Sequence, residues 1–248
     1  MNRQYSGFAA AYDQMMHDVD RDRWISYLDS FLREAEAKEI LECACGTGVN
    51  TIRLHRLGYR VIASDASAEM LSEAENNAVA AGARDIRFVC QDMRKLCVHK
   101  PVDAIVCVCD GVNYLTSAKD VRSFFIRAHE SLKPGGLLLF DVSSAYKFRH
   151  ILGTNVFTEE TDAYAYIWKN NYDPKTKLCE MSLTGFVKSG EQYDRFTETH
   201  LQRAHSEGDL VRALAQAGFT EIRTFDAFTR EPVKTDSSRI QFAAIRGE

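Results

Sequence analysis

No apolar run in this chain approaches the ~18 residues that a bilayer-spanning helix requires, and Met1-Asn2-Arg3-Gln4 leads into no apolar stretch of the signal-peptide kind. An excess of positive charge is also missing. The 31 Lys and Arg stand against 35 Asp and Glu, for a net charge of −4, which argues against a broad nucleic-acid or anionic-membrane footprint. There is no Gly-Lys-Ser/Thr, so no P-loop. Internal repeats and low-complexity tracts are absent. The 7 cysteines are odd in number, and Cys43-x-Cys45 and Cys107-x-Cys109 are spaced too closely for the usual zinc ligand pair. Alternate residues of a strand share a face, which accounts for both pairs. Free thiols in a reducing, cytoplasmic setting and no metal are therefore expected.

What is present fits one α/β domain with an insertion. A chain of 248 residues buries roughly 70–75% of its unfolded surface without staples. Helical and strand-like segments alternate from residue 22 to about 142, the mark of a doubly wound sheet. Trp24, Leu28, Phe31, Leu32 and Ala35 form a helical stripe. Strands are expected over 39–44, 59–64, 86–90, 102–108 and 137–142. Helices follow from Gly48, from the cap Ser67 and from the capping box Ser117-x-x-Asp120, with Lys133-Pro134-Gly135-Gly136 ending the last of these. Over about 155–204 the pattern turns to aromatic-rich alternation broken by turns at Asp173-Pro174-Lys175 and Lys188-Ser189-Gly190-Glu191. This predicts a small antiparallel sheet, an inserted cap over residues 155–204, in a domain made of 1–154 and 205–248. A helix opening at Ser206-x-x-Asp209 and two strands, about 219–226 and 239–246, complete the chain.

The most informative stretch is Ile40-Leu41-Glu42-Cys43-Ala44-Cys45-Gly46-Thr47-Gly48. An apolar strand ends in an acid, then a small-residue turn enters a helix, a place where a ligand can lie against the main chain. Two more acids, Asp65 and Asp92, close the next two strands. A dinucleotide would call for G-x-G-x-x-G, but Thr51 holds the third position and Glu42 brings charge of the wrong sign for phosphate. S-adenosylmethionine has no phosphate. Asp65 can accept from its ribose hydroxyls and Asp92 from its adenine amine, while Met70 and Met93 can flank the purine. Each acid also has a purely structural reading: Glu42 bonding its own loop, Asp65 as a helix cap, Asp92 as a turn acid.

In order, Leu41-Glu42-Cys43-Ala44-Cys45-Gly46-Thr47-Gly48, Asp65-Ala66-Ser67-x-x-Met70-Leu71, Gln91-Asp92-Met93 and Leu132-Lys133-Pro134-Gly135-Gly136 resemble the motifs of class I S-adenosylmethionine-dependent methyltransferases. The resemblance covers about 5–145 well and the last 40 residues more loosely. Phe8-Ala9-Ala10-Ala11-Tyr12-Asp13 and Cys109-Asp110-Gly111-Val112-Asn113-Tyr114-Leu115 resemble the bacterial small-molecule type related to glycine and sarcosine N-methyltransferases. The resemblance implies a seven-stranded Rossmann-like sheet of order 3-2-1-4-5-7-6 with strand seven antiparallel. It implies a cofactor site of Tyr12, Glu42, Ala44, Gly46, Gly48, Asp65, Ala66, Met70, Gln91, Asp92, Met93 and Cys109. The family's first glycine is Ala44 here, which is tolerated where that residue keeps a negative φ.

The expected reaction is methyl transfer from S-adenosylmethionine to a small acceptor, an amine or a hydroxyl. Asp110, Asn113 and Tyr114 follow the fourth strand, at the edge where such sheets bind ligands. His200 is a candidate base if the inserted sheet folds over the site, and Arg203 a partner for an acidic acceptor. Trp168 is a candidate substrate contact, with a place in the core of the small sheet as its plainer reading. The segment with Tyr12 and the small sheet are expected to form a lid. Monomer and homodimer both stay open. The alternatives are a tRNA methyltransferase, a dinucleotide-dependent oxidoreductase and a non-catalytic S-adenosylmethionine-binding regulator.

Overall fold

In the computed structural model, the described residues are Asp13, Met15 and 19–247. Tyr12 and the stretch 8–12 lie outside them. Helix α1 (Arg21–Glu34) starts where the Asp20 carboxylate accepts from the Arg23 N–H at 2.9 Å. It buries Trp24, Leu28, Phe31 and Leu32 on one face, as the periodicity predicts. Ala35 does not join them. The helix stops before it, so Ala35 is exposed and Ala37 takes the next buried place.

Strand β1 (Glu39–Cys43), α2 (Val49–Arg56), β2 (Arg60–Asp65), α3 (Ala68–Ala80), β3 (Arg87–Cys90), β4 (Val102–Cys107), α4 (Ala118–Ser131) and β5 (Leu132–Ser143) follow in alternation. The serine caps form as read: Ser67 accepts from Met70 N–H at 3.1 Å and Ser117 from Asp120 N–H at 3.1 Å. β5 departs from expectation. It begins at Leu132 directly after α4 and runs through Lys133–Gly136 instead of starting at Leu137. The Lys133 ammonium is tied to Glu39 at 2.9 Å and Asp103 at 2.7 Å. The tie keeps this segment beside β4, and the register shift between Val102 and Ala104 absorbs the extra residues.

Beyond a short π-helical turn (Lys147–Leu152) come β6 (Val156–Glu160), β7 (Tyr164–Asp173), β8 (Leu178–Ser189) and β9 (Gln192–Arg203), an antiparallel four-stranded sheet in sequence order. The chain returns through α5 (Glu207–Gln216), β10 (Phe219–Asp226) and β11 (Arg239–Arg246). The large sheet has the order β10-β11-β5-β4-β1-β2-β3, with β11 antiparallel to both neighbours. That is the order and the reversed strand the resemblance implies. β1, β4 and β5 sit at its centre and are buried on both faces, Leu41, Ile105 and Leu138 in one core and Ile40, Ala104 and Leu139 in the other. The loops leaving the carboxyl ends of β1, β2, β4 and β5 therefore converge on one edge. No helix among the described residues is long and apolar enough to cross a membrane.

Candidate active site

Two cavities meet at that edge. The first, of about 350 Å³, is lined by Glu42, Ala44, Gly46, Asp65, Ala66, Met70, Gln91, Asp92, Met93 and Cys109 among others. Ten of the expected cofactor residues are thus brought together by the ends of β1, β2, β3 and β4. Gly48 is not on this wall. It begins α2 at φ +75°, and a Cβ there would come within 3.0 Å of the Ala74 Cβ, so its role is close helix packing.

The turn after β1 is sharper than expected. Ala44 has φ +53°, not the negative value foreseen, and Gly46 follows at +56°. A left-handed alanine costs about 1–2 kcal/mol. The turn aims the Gly46 N–H at Asp65 Oδ2, 2.9 Å away, while Ser67 N–H donates to Oδ1 at 2.9 Å. Each Asp65 oxygen keeps a further lone pair. Burial raises the Asp65 pKa against these two hydrogen bonds. Glu42, 1% exposed, accepts from the Thr51 hydroxyl, and burial pushes its carboxyl up to about 7. Asp92 takes both its oxygens to Arg94 Nε, at 2.9 and 2.8 Å, and this pairing holds its pKa below the usual carboxylate range.

The second cavity, of about 400 Å³, lies between the large sheet's edge and the small sheet. Asp110, Tyr114, Trp168 and His200 line it, as do Trp24, Lys147 and Arg239. The His200 Nδ1 stands 3.3 Å from the Tyr114 hydroxyl, and burial lowers the imidazole to about 4, so it is neutral near pH 7. Cys109 and Tyr114 belong to the walls of both cavities.

Asn113 and Arg203 are corrections. Asn113 is fully buried and spends its amide on backbone, donating to Ser143 O at 3.1 Å and Arg203 O at 2.9 Å and accepting from Ser143 N–H at 2.9 Å. Arg203 donates to Thr116 O at 3.2 Å and lines neither cavity. Both lock β9 to the loop after β4.

Asp110 is committed as well as exposed to the cavity. Arg239 bridges it to Asp141, and the Ser143 hydroxyl donates to it at 2.8 Å. Burial alone would raise Asp110, but the Arg239 and Lys147 cations win and lower it; buried Asp141 is raised. Cys109 and Asp110 are successive left-handed residues, φ +59° and +69°, and the Asp110 N–H is taken by Asp141 at 3.3 Å.

Sequence reasoning missed Arg239, Lys147, Trp24 and Asn50. Asp141 lies near the end of β5, and nothing local in the sequence marks an arginine 98 residues away as its partner. Asn50, in the first turn of α2, carried the faint signal of an amide at a ligand-facing helix start. It lines the first cavity with its Oδ1 buried and without a hydrogen-bond partner among the described residues.

These features suit S-adenosylmethionine. Beside Gly46 the cradle is open, since a Cβ there would meet nothing within 4 Å. Carboxylates at Glu42 and Asp65 and the unpartnered Asn50 oxygen offer acceptors to hydroxyl and ammonium groups. At Gly111 a Cβ would stand 2.7 Å from Cys107 Sγ, so only glycine keeps that part of the wall thin.

Comparison with known proteins agrees. A profile described as a methyltransferase domain matches residues 40–136. The chain is 36% identical over 247 residues to a Bacillus subtilis (strain 168) protein that carries the name methyltransferase YqeM, covering 98% of each. It is 28% identical over 231 residues to a glycine/sarcosine N-methyltransferase of Aphanothece halophytica, covering 92% of this chain and 83% of that protein. The crystal structure of an S-adenosylmethionine-dependent methyltransferase from Clostridium acetobutylicum ATCC 824 superposes with a TM-score of 0.89 at 33% identity, covering 98% of this chain and 99% of that one.

Proposed function

This chain belongs to the S-adenosylmethionine-dependent methyltransferases, and from that premise we propose that it methylates an amine nitrogen of a small acceptor seated in the second cavity. The observation that carries the reading is the shared wall: Cys109 and Tyr114 face both cavities, so two ligands can meet there. When bound, the cofactor supplies a methyl group on a sulfonium. Glu42, Asn50, Asp65 and the backbone of 44–46 hold it, Asp65 through the lone pairs left after its two N–H contacts. Met70, Gln91, Asp92 and Met93 flank its base end.

On the acceptor side, the residues exclude water and align the nucleophile, which is where most of the rate enhancement of such a transfer resides, up to about 7–11 kcal/mol. An amine suits this cavity better than a hydroxyl. Apolar walls and the nearby Lys147 cation disfavour an ammonium, so the amine is held neutral and nucleophilic. A hydroxyl acceptor asks for a strong base; His200 is neutral with a pKa near 4, and Asp110 is bound to Arg239. The Tyr114 hydroxyl and the His200 imidazole accept hydrogen bonds from the nitrogen as it becomes cationic. We read 155–204 as a cap inserted into a binding domain of 1–154 and 205–248. The activities of the named relatives favour none of the tRNA, dinucleotide or regulatory alternatives.

The test is incubation with methyl-labelled S-adenosylmethionine and parallel panels of small amines, phenols and bulk tRNA, read by mass. Label entering amines, and falling at least tenfold in Tyr114→Ala, is the expected result. Label entering only phenols or tRNA refutes the amine assignment.

A further inference from the structure

We infer that the acceptor is a flat aromatic amine, taken up between the aromatic side chains of the second cavity; this rests on the transfer proposed above. The volume of about 400 Å³ falls within the roughly 300–1,000 Å³ of sites that enclose drug-sized ligands. It is far more than an amine of a few heavy atoms fills. Two pairs of rings line it. Trp24 on α1 and Phe228 between β10 and β11 stand edge to face with centroids 4.6 Å apart, and β7 contributes Tyr166 and Trp168. Such rings favour the face or edge of another π-system over a saturated ligand of equal size.

Charges of both signs stand on the wall. Among the described residues, the cations lining the cavity are Arg23, Lys147 and Arg239 and the anions are Asp20 and Asp110, with Arg239 paired to Asp110 and to Asp141 behind it. Arg239 is spent on two carboxylates. The Lys147 ammonium donates at 3.1 Å to Ser143 Oγ, which itself donates to Asp110. The Arg23 guanidinium lies over the Phe228 ring at 4.7 Å. Arg203, expected from the sequence as a partner for an acidic acceptor, is directed at Thr116 O.

The chain has 2 tryptophans, and both line this cavity, so their fluorescence reports occupancy without turnover. Calorimetry first establishes S-adenosylhomocysteine binding, which tests the cofactor reading separately. The loaded protein is then titrated with 4-nitroaniline and 4-nitrobenzylamine, and with glycine and sarcosine as competitors. Saturable quenching by the nitroaromatic amines, unrelieved by glycine or sarcosine, is expected. Trp168→Ala and Tyr166→Ala should each weaken aromatic binding at least tenfold with S-adenosylhomocysteine affinity retained. Ile167→Ala, at a side chain 39% exposed on β7, should leave both affinities unchanged. Glycine or sarcosine binding in preference to the aromatic amines, or no aromatic binding to the loaded protein, overturns the inference.

Discussion

Replacing Glu42 with glutamine should make the protein more stable as pH rises and at the same time worse at binding its cofactor. The carboxyl is buried, and its pKa moves from 4.5 to about 7, with burial as the largest cause. The folded protein thus holds this proton more tightly than the unfolded chain does, so ionising Glu42 works against folding. Nothing is lost below the unfolded value of 4.5. The penalty grows between there and about 7, and is complete above. At about 1.4 kcal/mol per pKa unit it amounts to about 3 kcal/mol. Glutamine carries no charge to desolvate and retains an amide that can meet the Thr51 hydroxyl; losing that hydrogen bond would return about 1 kcal/mol. Urea unfolding at about pH 5 and about pH 8 gives the difference between variant and native protein. It should be near zero at the lower pH and approach 2–3 kcal/mol (roughly, by the same linkage) at the higher. Calorimetry at the higher pH should show S-adenosylmethionine bound more weakly by the variant, since a carboxylate facing a cationic ligand has gone. A difference that stays flat, or shrinks with rising pH, would refute the reasoning.

Asp65→Ala should cost about 1.5–3 kcal/mol of S-adenosylhomocysteine affinity, because hydrogen bonds to a charged acceptor disappear, with Asp65→Asn falling between; unchanged calorimetric affinity would remove Asp65 from the site. Arg239→Met leaves Asp110 and Asp141 facing each other in the interior. It should destabilise the fold by about 3–5 kcal/mol near neutral pH. The loss should be smaller near pH 5, where Asp141, already raised by burial, takes up a proton. Denaturant midpoints at the two pH values check it, and an equal loss at both would count against the triad.

Much of the architecture could be read before any coordinates because its signals are local. Serine caps sit three residues ahead of their partners, β4 is a continuous apolar run apart from Asp103, and two polar turns divide the small sheet. The site was legible where one loop carries several residues, as in 42–46. It failed where geometry depends on distant partners. The left-handed φ of Ala44 follows from the need to bring the Gly46 N–H to Asp65, 19 positions on. Lys133 looked like a helix stop until its ties to Glu39 and Asp103 made it part of a strand. Asn113 and Arg203 carry chemically versatile side chains, but each is claimed by main-chain groups that only folding brings near. Trp168 had two readings in the chain, and it both lines the cavity and packs on Phe157.

The partition between the two cavities is one side chain thick at Cys109 and Tyr114. Any change at those positions is felt by both occupants at once, so neither pocket can be retuned there alone. Strands β7 and β8 are different: Tyr166, Trp168, Met181 and Leu183 reach only the second chamber, and they share no backbone pairing with the parallel sheet. Altering them acts on the second chamber directly and on the first only through Met70, which packs with Leu183, Tyr166 and Trp168, and this makes the two strands the natural starting point for redirecting the enzyme to new acceptors.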